Sequence, residues 1–147
     1  MDALHGLPTH EKLKQAFRLE AGTVQRYLYF ARIADIEGFP DVAQTFRNLA
    51  ESGICNAQGN LDFLKRVGDP DTDLPIGETD LNLTAAISAT ILEQTESYPL
   101  MAKVAREEGL MDIANWFETM TRTKKAHEQK LKKALAQLAA VRQEEPK

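Results

Sequence analysis

The chain has 147 residues, of which 43% are hydrophobic and 27% are charged, as is usual for one globular domain with a hydrophobic core. Its net charge of -4 argues against a nucleic-acid-binding protein, and no apolar run is long enough to cross a membrane. The single cysteine, Cys55, excludes an internal disulfide and a cysteine-rich zinc site. The N-terminus has no signal-peptide pattern, so the cytoplasm is the expected compartment.

Apolar residues recur in steps of three and four along most of the chain, which predicts four long helices and no strands. The first helix is expected over residues 9–36, because Gly38 and Pro40 follow it as stop signals. The second helix is expected over residues 41–67. It contains Gly53 in its interior, where a glycine usually means that a neighbouring group needs the room.

Residues 68–80 are rich in proline, glycine and acidic residues, and we expect them to form a long crossover between two helix pairs. The third helix is expected over residues 82–108, with a bend at Pro99. The fourth helix continues to about residue 141, and residues 143–147 are expected to fray. The prediction is an all-α, antiparallel four-helix bundle that forms a single domain over residues 1–147.

The sequence contains an internal repeat with an offset of 71 residues. Residues 27–46 match residues 98–117 in their aromatic, alanine and Glu-Gly positions. The repeat predicts two like helix hairpins related by a pseudo-two-fold axis. The same offset pairs two inward positions of the second helix with two of the fourth: Gly53 with Lys124 and Asn56 with His127.

Polar residues interrupt the inward apolar stripe of every predicted helix. In the fourth helix, Lys124 and His127 continue the three-and-four spacing of the apolar residues around them, which is costly on a buried face. The interruptions in the other three helices are Glu20, Gly53, Asn56, Thr90 and Glu93. Residues three apart share a helix face, and ferritin-like bundles hold two iron ions with a glutamate from one helix and Glu-x-x-His pairs from others.

Together these features resemble the ferritin-like domain of rubrerythrin over about residues 13–138. The motifs that carry the resemblance are Glu20, Arg26-Tyr27-Leu28-Tyr29-Phe30-Ala31, Tyr98-Pro99, Ala105-Arg106-Glu107-Glu108-Gly109 and His127-Glu128. The resemblance implies a ferritin-like bundle of two repeated helix hairpins with a long crossover, a non-haem di-iron centre that reduces hydrogen peroxide, and a homodimer. Rubrerythrins usually carry a C-terminal rubredoxin domain. None follows here, so a separate electron donor is expected.

Only part of the rubrerythrin ligand set carries over by this resemblance. Glu20 and Glu93 match terminal iron ligands, and His127 matches the histidine of the fourth helix. Tyr27 and Tyr98 match tyrosines that orient the ligands. Four ligand positions hold other residues: Gly53 and Lys124 in place of the two bridging glutamates, Asn56 in place of a histidine, and Thr90 in place of a glutamate.

The first of three interpretations is a centre without metal. Bridging carboxylates hold two cations together by screening their repulsion, and an ammonium group at such a position repels a second cation. Lys124 could instead extend across the space left by Gly53 and pair with Glu20 or Glu93. A neutral, hydrogen-bonded cluster of this kind needs no metal, so the protein would be a binding or structural module.

The other two interpretations keep iron. In the second, Glu20, Glu93 and His127 hold one metal ion as a two-carboxylate, one-histidine triad for oxidoreductase chemistry. In the third, a di-iron peroxidase is retained with unconventional ligands such as Glu51 or Glu96, although neither lies on the expected stripes. The replaced ligand positions favour a remodelled centre without a conventional di-iron site, and the di-iron peroxidase is the least favoured of the three interpretations.

Overall fold

The computed structural model describes residues 2–144, a range that is mostly helical and contains no strand. The elements in chain order are α1 (Pro8–Glu37), α2 (Pro40–Leu64), α3 (Thr79–Leu92), a π-helical segment (Glu93–Ser97), α4 (Tyr98–Glu107) and α5 (Met111–Glu144). The prediction of an all-α fold is confirmed. The chain divides after Pro70 into two compact units. We call α1 with α2 hairpin 1, and α3, the π segment, α4 and α5 together hairpin 2.

Hairpin 1 reverses direction at Gly38, whose φ of 86° lies in the left-handed region that glycine adopts without a steric penalty. The amide of Phe39 donates to the carbonyl of Ala34 at 2.8 Å, and Pro40 begins α2. Small side chains beside this turn let the two helices approach closely, and they are all buried: Ala31, Ala34 and Ala43.

Hairpin 2 repeats this turn 71 residues later. Gly109 has a φ of 79°, and the amide of Leu110 donates to the carbonyl of Ala105 at 2.9 Å. The equivalent small residues are again buried: Ala102, Ala105 and Ala114. The internal repeat in the sequence therefore corresponds to two hairpins with the same turn and the same packing of small residues beside it.

An ion pair links the two helices near each turn, but its charges are exchanged between the hairpins. In hairpin 1, Arg47 Nη1 lies 2.8 Å from Asp35 Oδ2. At the equivalent positions of hairpin 2, Arg106 pairs with Glu118, so the acid and the base have changed helices. The repeat therefore preserves the pairing of opposite charges and not the identity of the charged residues.

A π-helical turn stands where the sequence predicts only a bend at Pro99. The turn, Glu93–Ser97, ends just before that proline. The repeat offset is 71 from Tyr98 onwards, but before the π segment it is 70, as in the pairs Leu13 with Leu83 and Ala16 with Ala86. Hairpin 2 thus contains one additional residue, which the wider i→i+5 turn accommodates without interrupting the helix.

Two helix boundaries differ from the predicted ones. Helix α2 ends at Leu64, three residues earlier than predicted, because the amide of Gly68 closes the helix on the Leu64 carbonyl at 2.8 Å. Helix α3 begins at Thr79, three residues earlier than predicted. In its first turn, the side-chain oxygen of Asn82 accepts the amide of Gly77 at 2.8 Å, which ties the preceding chain to the helix.

Residues 65–78 join the two hairpins and overlap the crossover predicted at residues 68–80. The tail predicted at residues 143–147 is helical as far as Glu144, and its last three residues lie outside the described range. No helix within residues 2–144 combines the length and the apolar character needed to cross a bilayer. The single-domain organisation stays a prediction.

Candidate metal centre

Hairpin 1 places Glu20 of α1 beside Gly53 of α2. A Cβ atom added at Gly53 would lie 3.7 Å from Glu20 Oε2 and only 2.8 Å from Val24 Cγ2. The second distance is shorter than a carbon–carbon contact allows, and a β-branched side chain in a helix has few rotamers to move into. Gly53 is buried and Glu20 is half-buried. The close approach of Val24 to the backbone of α2 therefore requires a glycine at position 53.

Hairpin 2 contains an ion pair at the repeat-equivalent position. Lys124 Nζ on α5 lies 2.9 Å from Oε2 of Glu93, the first residue of the π segment. The side chain of Lys124 is 25% exposed and that of Glu93 is 29% exposed, so water partly screens the ion pair. The predicted contact between Lys124 and Glu93 is confirmed.

A second polar contact beside this pair is not predicted from the sequence. Gln94 Nε2 donates to Glu128 Oε1 at 3.1 Å, and Lys132 Nζ lies 3.5 Å from Glu128 Oε2. Lys124 and Glu128 are four residues apart on α5, so they lie one turn apart on the same face of that helix. The contacts Lys124–Glu93 and Glu128–Gln94 therefore join α5 to the π segment side by side. The signal in the sequence is the spacing of lysine, glutamate and lysine at four-residue intervals.

His127 is exposed within hairpin 2. Its place on the inward stripe of the bundle and its role as a metal ligand stay predictions. The half-buried positions of α5 run through Phe117, Thr121, Lys124, Glu128 and Leu131. His127 precedes Glu128 by one residue, so it is turned by about 100° from that carboxylate and by about 60° from Lys124. Asn56 is also exposed, whereas its neighbours Gly53 and Ala57 on α2 are buried against α1.

The two candidate tyrosines occupy equivalent positions in the hairpins. The ring of Tyr27 has its centroid 5.8 Å from that of Phe46, and the ring of Tyr98 has its centroid 6.5 Å from that of Phe117. Each tyrosine is half-buried and packs across the helix pair of its own hairpin. A role for these tyrosines in orienting metal ligands stays a prediction.

The remaining candidates differ in accessibility. Thr90 is buried on α3, and its hydroxyl donates to the carbonyl of Ile87 at 2.8 Å, so its own helix satisfies it. The two unconventional ligand candidates, Glu51 and Glu96, are both exposed, and so is Cys55. Thr90 is therefore buried and already hydrogen-bonded, whereas the carboxylates of Glu51 and Glu96 are accessible to a cation.

The described residues give no preformed metal site. Within residues 2–144, no group of three or more histidine, cysteine, aspartate and glutamate side chains is arranged to hold a metal ion. The nearest charged partner of Glu93 is a lysine, and the residue facing Glu20 across the helix pair has no side chain. The ligand set of Glu20, Glu93 and His127 stays a prediction.

These features define an all-α protein built from two like helix hairpins, in which one carboxylate faces a glycine and another pairs with a lysine. The chain belongs to the rubrerythrin family, because the family model described as Rubrerythrin matches residues 11–53 and 56–135. The match includes Glu20, Gly53, Glu93 and Lys124, and its internal interruption falls directly before Asn56.

Comparison with curated proteins gives the same family. Rubrerythrin-1 of Clostridium acetobutylicum is 30% identical over 138 residues, which cover 88% of this chain and 71% of that protein. Rubrerythrin of Porphyromonas gingivalis is 32% identical over 138 residues, covering 91% of this chain and 69% of the relative. Rubrerythrin of Nitratidesulfovibrio vulgaris is 32% identical over 135 residues, with 88% and 70% covered.

Proposed function

We propose that this member of the rubrerythrin family is an iron-protein scaffold with a remodelled centre, in which an ion pair replaces the conventional di-iron site. The observation that carries the proposal is the 2.9 Å contact between Lys124 Nζ and Glu93 Oε2. A bridging carboxylate places negative charge between two cations, whereas an ammonium group places positive charge there. A lysine instead of a glutamate at position 124 makes the local charge more positive by two units, which disfavours binding of a second cation.

The surroundings of Gly53 support the same proposal. The position supplies no carboxylate, and Val24 Cγ2 occupies the space that the first atom of any side chain would need. A glutamate at this position would require Val24 to move before its carboxylate could reach a cation beside Glu20. The packing of hairpin 1 therefore leaves no room for a bridging glutamate at position 53. Such packing is expected of a centre that no longer binds two ions.

The energetics of the Lys124–Glu93 pair are compatible with a structural role. With about a quarter of each side chain exposed, the pair contributes about 1 kcal/mol or less to stability, but it prevents the larger cost of an uncompensated charge. The neighbouring contacts of Glu128 with Gln94 and Lys132 neutralise the next carboxylate along α5. Glu93 and Glu128, the two carboxylates where α5 meets the π segment, are thus satisfied by protein groups.

A mononuclear centre is the second candidate function, and two observations favour it. Within residues 2–144, no ion pair involves Glu20, and His127 is exposed and accessible to a metal ion. Glu20, Glu93 and His127 would hold the ion, provided that Lys124 releases Glu93. Iron bound there would supply oxidoreductase chemistry towards peroxide or oxygen. A di-iron peroxidase that uses Glu51 or Glu96 is the remaining alternative.

On the likeness to rubrerythrins we further propose that the chain forms a homodimer. If it is redox-active, a separate protein supplies its electrons. The cytoplasm stays the predicted compartment. The homodimer and the compartment do not depend on the number of metal ions bound, so each can be tested by itself.

The experiment that tests the remodelled centre is metal analysis of three proteins: the wild type, Lys124→Met and Lys125→Met. Each is loaded anaerobically with ferrous iron, desalted and assayed for iron per chain. Lys125 is the matched control, because it neighbours Lys124 on α5 but is exposed. We expect little iron in the wild type and in Lys125→Met. In Lys124→Met we expect an apparent affinity at least about tenfold higher, equivalent to ~1.4 kcal/mol.

Other outcomes discriminate among the alternatives. Two irons per wild-type chain would overturn the proposal and restore a di-iron peroxidase, with ligands such as Glu51 or Glu96 to be identified. One iron per wild-type chain, lost in Glu93→Gln and His127→Ala, would establish the mononuclear centre. Equal iron binding by Lys124→Met and Lys125→Met would show that the ammonium group is not what excludes the metal.

A further inference from the structure

A cavity of about 320 Å³ lies between α4 and α5 of hairpin 2, and we call it the α4–α5 cavity. Six of the described residues line it, three from each helix: Pro99, Ala102, Arg106, Glu118, Thr121 and Arg122. One helix pair supplies all six of these residues, and none of them is a candidate metal ligand. The cavity therefore belongs to hairpin 2 itself, and its volume is at the lower end of the range for small-molecule sites.

Two of the three charged groups that line the cavity neutralise each other. The guanidinium of Arg106 donates to the carboxylate of Glu118 across the helix pair. Arg122, by contrast, forms no ion pair with any of the described residues, and its Nη2 atom donates instead to the hydroxyl of Thr119 at 3.0 Å. The lining of the cavity therefore carries one uncompensated positive charge, which is that of Arg122.

The internal repeat shows that this positive charge is particular to hairpin 2. At an offset of 71 residues, the three charged residues of the cavity correspond to Asp35, Arg47 and Glu51 of hairpin 1. Hairpin 1 thus has the same ion pair with its charges exchanged, and it has an additional anion where hairpin 2 has an additional cation. Because both hairpins pack in the same way, that packing does not require a cation at position 122, and the Arg122 guanidinium is free to hold a ligand.

We propose that the α4–α5 cavity binds a small organic anion, with the carboxylate or phosphate group of the ligand on Arg122. A guanidinium presents parallel N–H donors that match the oxygen atoms of either group. While Nη2 is engaged by Thr119, the Nε and Nη1 atoms of Arg122 remain as donors for the ligand. Pro99 and the buried Ala102 give the carbon atoms of the ligand an apolar surface to pack against.

The other polar residues of the cavity act on the anion indirectly. Thr121 supplies no donor, because its hydroxyl already donates to the carbonyl of Phe117 at 3.2 Å. Arg106 compensates the charge of Glu118 and so reduces the repulsion between that carboxylate and a bound anion. Neutralising Arg122 and neutralising Glu118 are therefore expected to change the affinity in opposite directions.

The experiment is an NMR titration of the ¹⁵N-labelled full chain at constant ionic strength, with propionate, glycerol 2-phosphate and inorganic phosphate as the probes. We expect saturable shifts of the backbone amides of Ala102 and Thr121 and of the Nε signal of Arg122. The dissociation constant of the better organic probe is expected to be about 1 mM, as is usual for so small a ligand. Inorganic phosphate should bind more weakly than the phosphate ester, because it has no carbon atoms to pack against Pro99.

Four variants test how the cavity holds the anion, and circular dichroism checks that each is folded. Arg122→Gln should raise the dissociation constant at least about tenfold, because the charge-assisted hydrogen bonds are lost. Glu118→Gln should lower it about threefold, because a partly screened repulsion is removed. The matched control is Lys125→Gln, which removes the same charge from an exposed position of α5 that does not line the cavity, and its effect should be less than about twofold. Thr121→Val, which removes no donor to the anion, should also change the affinity by less than about twofold.

The results separate a built site from general attraction to a basic helix. Equal weakening by Arg122→Gln and Lys125→Gln would overturn the inference, because the anion would then respond only to the net charge of α5. Shifts that do not saturate with any of the three probes would overturn it as well. If the inference holds, tighter binding of propionate assigns a carboxylate ligand, and tighter binding of glycerol 2-phosphate assigns a phosphate ester. None of these measurements depends on iron, so they stand apart from the test of the metal centre.

Discussion

The two hairpins agree in their turns and differ in their centres. Both reverse at a glycine in the left-handed region, and both bury three alanines beside the turn. At the equivalent positions of the centre, however, one hairpin has Gly53 facing a carboxylate and the other has Lys124 paired with one. Helix packing therefore constrains both halves alike, whereas the residues at these two equivalent positions differ.

The π segment extends this contrast to the backbone. Its extra residue raises the repeat offset from 70 before the segment to 71 after it. The equivalent of Glu20 in hairpin 2 is therefore Thr90, and the equivalent of Glu93 in hairpin 1 is Thr23. Glu20 and Glu93 thus occupy different positions of the repeated unit. A π turn next to a functional site is a common way to re-aim one side chain.

The largest effect is expected when both hairpins receive a glutamate at the repeat-equivalent position. The triple variant Gly53→Glu, Lys124→Glu, Val24→Ala removes the ammonium group, adds two carboxylates and makes room for one of them. We expect iron content after anaerobic loading to rise by at least one ion per chain relative to the wild type. Elemental analysis together with the visible absorption of ferric iron checks the result.

The control for this variant is Gly59→Glu with Lys125→Glu, which makes the same change of charge at positions outside the centre. Iron uptake by the control equal to that of the triple variant would show that net charge, and not position, attracts the metal. No gain in the triple variant would mean that the centre has lost more than its bridges, with Asn56 and Thr90 as the next positions to change.

A smaller effect is expected from Gly53→Ala alone. The new Cβ would approach Val24 Cγ2 to 2.8 Å, so the substitution should lower the free energy of unfolding by about 1–3 kcal/mol despite the better helix propensity of alanine. Gly59→Ala has no such neighbour among the described residues and should raise it by up to ~1 kcal/mol. Urea denaturation of both variants measures the difference.

The explanation through Val24 has its own test. In a Val24→Ala background, Gly53→Ala should cost less than in the wild type, because the clashing methyl groups are gone. An equal cost in both backgrounds would contradict the proposed steric cause and point instead to a backbone constraint at Gly53. This double-mutant cycle also shows whether Val24→Ala is needed in the triple variant.

The sequence predicts most of the fold because its signals are local. Steps of three and four in apolar residues give the helices, and the order of Gly38 and Pro40 gives the turn of hairpin 1. The repeat extends that prediction to hairpin 2. The π segment is missed because a one-residue insertion in a continuous helical pattern resembles the bend expected from Pro99. The shift of the repeat offset could have revealed it.

The centre is less predictable because it depends on the exact rotation of each helix. Lys124 and His127 both fit a three-and-four pattern in the sequence, yet the half-buried stripe of α5 passes through Lys124 and Glu128 and leaves His127 exposed. The step of three residues from Lys124 to His127 corresponds to a difference of about 60° around the helix axis. The contact of Gln94 with Glu128 also escapes prediction, because pairing between the side chains of two helices leaves no periodic signal.

The smallest effect is expected at the ion pairs beside the turns, where the hairpins have exchanged charges. Asp35→Arg alone removes the pair with Arg47 and sets two cations side by side, so it should lower stability by about 0.5–1 kcal/mol. Adding Arg47→Glu gives hairpin 1 the charge order of hairpin 2 and should restore most of the loss. Thermal unfolding of the single and double variants measures this coupling, because a change of 1 kcal/mol moves the midpoint by about 2–4 °C in a chain of this size. A double variant no more stable than Asp35→Arg would mean that the residues around each turn fix the direction of the pair, and that the two hairpins are less interchangeable than their repeat suggests.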